Sequence, residues 1–415
     1  MRNIVLNNVR PFVDGKIAEP AKICLVDGAW ASSAPEGTPE FDAKGAVALP
    51  ALFGLGLDFK EPLRDDIYTF RDGVDAMRRG GFYGGLYESS ANAIDDSLKL
   101  AAIQQISAKC GLSFAFLGAF SMGYQCKDLA EMVELSEGGV VGFGDGNHNC
   151  SRSRFLRLAM EYGSMTGKRF FFMPLDDSLR HHGLVHEGSF ADTLGMKGIP
   201  RIAETMEAFR ILEMARFLKV PVHLKQVSCG ETLKLIERAR TQGVDVTCDV
   251  DIYHLLLDDS CLFDLDSHCN VPMPFRSAED REALWQGLES GTVNAISVNH
   301  DPVLRQDKEV NFEDAVPGAV SLEVALPAIW KPLCTRLSAA RAVELLSTAP
   351  AQLAGIEPAA LKQGGQASLV LLDPDAETEV VSSMFAGKTR NCPLLGKKLP
   401  SRILGTYING NWNEG

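Results

Sequence analysis

Short alternating runs of apolar and polar residues occupy both ends of this 415-residue chain, and its middle alternates apolar strand-like runs with helical periodicity. Asn3 to Val9 and Lys22 to Asp27 repeat with a period of two, the mark of a half-buried strand. They are followed by Asp14-Gly15 and Asp27-Gly28, residues that accept the positive φ of tight hairpin turns. Ala367 to Leu372 and Arg402 to Ile408 read the same way near the far end, with Asn409-Gly410 as a turn. Residues 1–48 and 365–415 are therefore expected to form one small β domain.

Between the ends, Val140 to Phe143, Arg169 to Met173, Val220 to Leu224, Val244 to Val250 and Val293 to Val298 are candidate strands. Helical patterns intervene at Ser153 to Met165, Ile202 to Leu218, Gly230 to Thr241 and Ala278 to Leu288. Strand-helix alternation sustained over this length predicts an α/β fold, a (β/α)8 TIM-type barrel over residues 49–364, with the small β domain formed by both chain ends.

Composition adds exclusions. The chain is 46% hydrophobic and 23% charged, as expected of a folded globular protein. A formal net charge of −13 opposes binding to nucleic acid or an anionic membrane, whose phosphates attract the opposite sign. The ten cysteines are scattered from Cys24 to Cys392 without a C-x-x-C pair, which suits reduced thiols. The early apolar run is too short for a signal peptide, and no stretch approaches the ~18 apolar residues of a membrane span, so a cytoplasmic location is expected.

Long stretches carry a family signal. Gly183-Leu184-Val185-His186-Glu187-Gly188-Ser189-Phe190 is followed by Leu194-Gly195-Met196-Lys197-Gly198-Ile199-Pro200-Arg201-Ile202-Ala203-Glu204. Pro274-Phe275-Arg276-Ser277-Ala278-Glu279-Asp280-Arg281, Pro317-Gly318-Ala319-Val320-Ser321-Leu322-Glu323 and Lys388-Thr389-Arg390-Asn391-Cys392-Pro393 come later, in order. Together they resemble dihydroorotase of the amidohydrolase superfamily. In particular they look like the inactive dihydroorotase-like chains that some bacteria assemble with aspartate carbamoyltransferase.

The resemblance implies a zinc site at the C-terminal ends of the barrel strands and an aspartate that shuttles the proton. The family's His-x-His and following arginine fall on Gly56, Asp58 and Lys60, and Asp58 reads as a solvated carboxylate at the barrel mouth. Its acidic ligand falls near Asp145, its next two histidines on Pro174 and Gln226, and its catalytic aspartate on Asn299. Substrate contacts change in parallel, at Ser90 and at Pro272. Glycine and proline side chains donate nothing to a metal, and an amide cannot hold a proton as a carboxylate does.

The remaining candidates read as structural. His186, His254 and His300 are family-like imidazoles without metal spacing, while His148, His181, His182 and His268 fall in loops. Cys150, Cys229, Cys248 and Cys269 could approach the mouth but lack zinc-site spacing, and Gly80-Gly81 with Gly84-Gly85 is no phosphate loop. No metal and no cofactor are expected. The resulting expectation is a non-catalytic subunit of pyrimidine biosynthesis, partner of the aspartate carbamoyltransferase catalytic chain, as a homodimer or larger hetero-oligomer. Two alternatives remain open: an active dihydroorotase or related cyclic amidohydrolase with a displaced metal at Asp58, Asp145 and Asp176, and a sensor of a pyrimidine intermediate.

Overall fold

Eight parallel strands form the centre of the computed structural model, which describes residues 2–415. They are β1 (Leu52–Leu57), β2 (Phe82–Tyr87), β3 (Ser113–Ala119), β4 (Gly142–Gly144), β5 (Arg169–Phe172), β6 (Val222–Leu224), β7 (Val246–Asp251) and β8 (Ala295–Ser297). Each pairs with the next in sequence order, and a bridge from Leu57 to His300 brings the first strand to the last. The result is the expected barrel. Its strands are covered on both faces, so they are short and nearly all buried rather than alternating.

Helices follow most strands and turn an apolar stripe inward. Helix α1 (Phe70–Gly80) starts at a capping box, where Thr69 accepts from Asp72 N and the Asp72 carboxylate accepts from Thr69 N. It ends at Gly81 in the left-handed region. Helix α2 (Arg201–Leu218) buries Ala203, Ala208, Ile211, Leu212 and Ala215, one face of a 3.6-residue repeat.

The two ends share one sheet. Strands Ile4–Val13, Ala21–Val26 and Val47–Pro50 join Leu369–Asp373, Arg402–Ile408 and Asn411–Glu414 in it. The three turns read from sequence are in place: Asp14-Gly15, Asp27-Gly28 and Asn409-Gly410 all have positive φ at both residues and each joins paired strands. The sheet has its own core around Leu6, Ile23, Leu25, Leu369, Leu371 and Tyr407. Among the described residues, no helix is long and apolar enough to cross a membrane.

Candidate active site

The C-terminal ends of the barrel strands converge on two buried charge clusters. In the first, Glu88 after β2, Asp145 after β4 and Lys225 after β6 meet. Lys225 Nζ donates to Glu88 Oε2 at 2.5 Å and to Asp145 Oδ1 at 2.9 Å. Backbone amides hold the carboxylates: Gly146 N donates to Glu88 Oε1, and Met173 N to Asp145 Oδ2, both at 2.8 Å. In the second cluster, Lys60 Nζ lies 2.7 Å from Asp58 Oδ2 and 2.5 Å from Asp301 Oδ1. Ser90 donates its hydroxyl to Asp58 at 2.5 Å and its N–H at 3.1 Å. Asp58 is thus not a solvated carboxylate, because Lys60 and Ser90 neutralise and bond it within the wall of the mouth.

Each cluster holds two carboxyls and one ammonium, and the electrostatics follow. Burial works against the charged form of Lys60 and Lys225, but the flanking carboxylates outweigh it and hold both ammoniums above their ordinary range. Burial pushes Glu88 and Asp301 up, and the neighbouring carboxylate adds to the push. Burial also raises Asp58, yet Lys60 and Ser90 more than reverse this and hold it low. In each cluster one carboxyl, Glu88 or Asp301, is thus held above its ordinary value by burial and by its neighbouring carboxylate, against the pull of the lysine.

A third network lies deeper. His223 bonds Asp249 Oδ2 through Nε2 and Thr247 Oγ1 through Nδ1, both at 2.8 Å. Burial holds this imidazole below its ordinary value although Asp249 opposes that. Asn299 donates to Asp251 Oδ2 at 2.8 Å and to Ser297 Oγ at 2.9 Å. A cavity of about 20 Å³ lies among Gly56, Glu88, His223, Lys225, Asp249 and Asn299, room for about one water. A space of that size does not admit a ring-sized substrate. Tyr124 stacks on His148 with ring centroids 5.2 Å apart, and the two side chains bond the carbonyls of Ser89 and Ser90.

Of the positions singled out from sequence, Gly56, Asp58, Lys60, Ser90, Asp145 and Asn299 meet at the mouth. Gly56 has φ +77, and a Cβ there would lie 2.1 Å from Asn299 Oδ1, so the carboxamide fills the space a side chain would need. Pro174 follows β5 between Met173 and Leu175, with no donor toward the clusters. Gln226 is buried with φ +54 and gives its backbone N–H to Asp249 Oδ1. Pro272 sits beside Met273, whose carbonyl, like that of Pro274, bonds His254 Nε2.

The zinc that the family resemblance implies does not fit these residues. The Glu88–Asp145 and Asp58–Asp301 pairs already converge on ammonium groups, and Gly56, Pro174, Gln226 and Asn299 supply no imidazole. The displaced set is not assembled either, since Asp176 caps the helix Asp177–Arg180 by accepting from Ser178 N and Leu179 N.

His186, His254 and His300 are buried, while His148, His181 and His182 are exposed. Sequence reading passed over Glu88, Lys225 and Asp301. Lys225 had a usable signal, because alternation along Val222-His223-Leu224-Lys225 puts a lysine and a histidine on the face that lines the barrel.

No protein-family profile matches the chain. Full-length relatives do. It is 32% identical over 384 residues to a dihydroorotase of Geobacter sp. (strain M21), covering 91% of this chain and 90% of that one. It is also 32% identical over 408 residues to a dihydroorotase of Pelotomaculum thermopropionicum, covering 96% and 92%. Among solved structures, L-hydantoinase (dihydropyrimidinase) from Arthrobacter aurescens superposes with a TM-score of 0.83 at 20% identity, covering 99% of this chain and 96% of that one, which shows a shared fold. These kinships overturn the expectation of a non-enzyme. That expectation rested on missing imidazoles, whereas relatives named for the activity match nearly end to end, and the mouth retains buried carboxyl and lysine groups. By its sequence along nearly its whole length, the chain belongs to the dihydroorotase family.

Proposed function

We propose that this protein is a cytoplasmic cyclic-amide hydrolase of pyrimidine metabolism that interconverts dihydroorotate and carbamoyl aspartate and associates with the aspartate carbamoyltransferase catalytic chain. The observation that carries the reading is the end-to-end kinship with proteins named dihydroorotase. The charge clusters give it a chemistry that the chain's own residues supply.

Ring opening adds water across a C–N bond, so the carbonyl oxygen gathers negative charge and the ring nitrogen leaves with a proton. Lys60 and Lys225 offer fixed positive charge at the barrel mouth for that oxygen. Glu88 and Asp301, raised by burial, take the proton from water and return it to nitrogen. Asn299, bonded to Asp251 and Ser297, is a positioned amide that orients without titrating.

Dihydroorotate ring opening is to be followed with the purified chain, alone and mixed with the transferase catalytic chain. Turnover that falls at least ~10-fold in Glu88→Gln is expected, at the lower end of what general acid–base groups contribute. Absence of turnover in both preparations sinks the assignment. The association is read by size-exclusion chromatography with light scattering, where co-elution is expected and separate elution at matched concentration argues against it.

A further inference from the structure

We infer that Lys225 is a built-in counter-cation of the barrel mouth, and that removing its ammonium converts the Glu88–Asp145 pair into a site for one hard divalent cation. The inference concerns charge balance and does not depend on which substrate the mouth accepts.

Three strands bring the groups together. Glu88, Asp145 and Lys225 stand just beyond β2, β4 and β6, and the ammonium occupies the point on which both carboxylates converge, at 2.5 and 2.9 Å. The carboxylates are aimed there by the backbone. Glu88 Oε1 is held by Gly146 N, and Asp145 Oδ2 by Met173 N, which leaves one oxygen of each directed at Lys225. Asn147 N, at 2.9 Å from Asp145 Oδ1, fixes that oxygen as well. All three side chains are less than a tenth exposed. Two carboxylates enclosed in this way repel each other and have lost their hydration, so the arrangement needs a cation between them.

The lysine backbone is tied to the same place by its N–H to Phe172 O at 2.7 Å, so the ammonium is delivered by the barrel itself rather than by a flexible surface chain. Lys60 does the same between Asp58 and Asp301, but there Ser90 shares the load on Asp58. Truncating Lys225 to alanine leaves two oxygen ligands around a space the length of a lysine side chain. Such a space suits Mg²⁺ or Mn²⁺, which take one or two carboxylates and complete their shell with water.

The test compares full-length wild-type protein with Lys225→Ala, each in EDTA and in millimolar Mn²⁺. Thermal unfolding and retained manganese after gel filtration are the two readouts. The wild type is expected to unfold at the same temperature in both buffers. Lys225→Ala is expected to unfold roughly 5 °C or more lower in EDTA, to recover in Mn²⁺, and to retain about one ion per chain. The added change Asp145→Asn should abolish both recovery and retention. Equal unfolding of Lys225→Ala in the two buffers with no ion retained overturns the inference, as does a wild type whose stability falls on chelation. If Lys225→Ala yields no folded protein, the double variant Lys225→Met with Glu88→Gln decides: folded protein supports the counter-cation role, and failure of both the double variant and manganese supplementation during expression overturns it.

Discussion

Glu323 accepts from Ala386 N through one carboxylate oxygen at 2.8 Å, while its other oxygen is buried without a partner. Burial pushes this carboxyl up to about 7. A carboxyl raised on folding contributes stability that is complete below the unfolded value of 4.5 and is lost as pH rises through 7. At ~1.4 kcal/mol per pH unit, the loss reaches about 3 kcal/mol above pH 7. Glu323→Gln should therefore flatten the urea-unfolding profile between pH 5 and 8, and an unchanged difference between those pH values refutes the assignment. His300 acts with the opposite sign. Burial and Lys60 push it to about 3, and its Nδ1 must stay unprotonated to accept from Ser321 N at 3.1 Å. Its contribution is present above the ordinary 6.5 and is lost as pH falls toward 3.

Gly56 and Asn299 form a second residue-scale unit. Gly56→Ala places a methyl group 2.1 Å from Asn299 Oδ1 on a backbone at φ +77, and should cost about 2–4 kcal/mol. With Asn299→Ala present the contact to the carboxamide disappears, leaving the backbone strain and a 3.1 Å approach to the Cα of residue 299, so a double-mutant cycle in urea should show coupling of about 1 kcal/mol or more. Additive effects would mean that the contact is not what keeps residue 56 a glycine. This unit also shows what the sequence could reveal of the site. Replacement of ligand-type residues was readable position by position. That Asn299 fills the space beside Gly56, and that Lys60 and Lys225 meet carboxylates, depends on strands far apart in the chain.

Among elements, the later barrel strands were legible and the first three were not. β4 to β8 are short apolar runs bounded by clear helices, and the structure shifts their ends by at most two residues. β1 reads Leu52-Phe53-Gly54-Leu55-Gly56-Leu57 and β2 reads Phe82-Tyr83-Gly84-Gly85-Leu86-Tyr87, and such glycine content resembles turns rather than strands. Packing explains the glycines. A Cβ on Gly84 would lie 2.2 Å from Ser113 O of the neighbouring strand. Helix α1 makes an equally close approach at its last residue, where a Cβ on Gly80 would lie 2.1 Å from Leu322 O. Because the obstacle is backbone, Gly80→Ala must displace the helix, with an expected loss of about 2–3 kcal/mol. Gly188→Ala, on extended backbone with open space around it, is the control expected to stay within ~0.5 kcal/mol. Equal urea midpoints for the two variants would show that α1 is not pinned at that contact.

At the scale of the whole molecule, the terminal sheet and the barrel share backbone. The strand Val47–Pro50 belongs to the sheet and β1 begins at Leu52, with only Ala51 between them, whose N–H bonds Ser368 O at 2.9 Å. Thr406 Oγ1 donates to Arg78 O of α1 at 2.9 Å, and Val370 packs against Gly81. Tyr407 joins the ends themselves, because its hydroxyl accepts from Gly28 N at 3.0 Å and donates to Arg2 O at 2.8 Å. Tyr407→Phe deletes both bonds while keeping the ring in the sheet core, so stability should fall by about 1–2 kcal/mol. Since sheet and barrel are continuous through Ala51 and braced at α1, that loss should appear as a lower midpoint of one calorimetric transition. If instead the variant melts in two steps, with the low-temperature step sparing the tryptophan signal of Trp285 and Trp330 in the barrel-side core, the sheet unfolds on its own and the two regions do not form one cooperative unit.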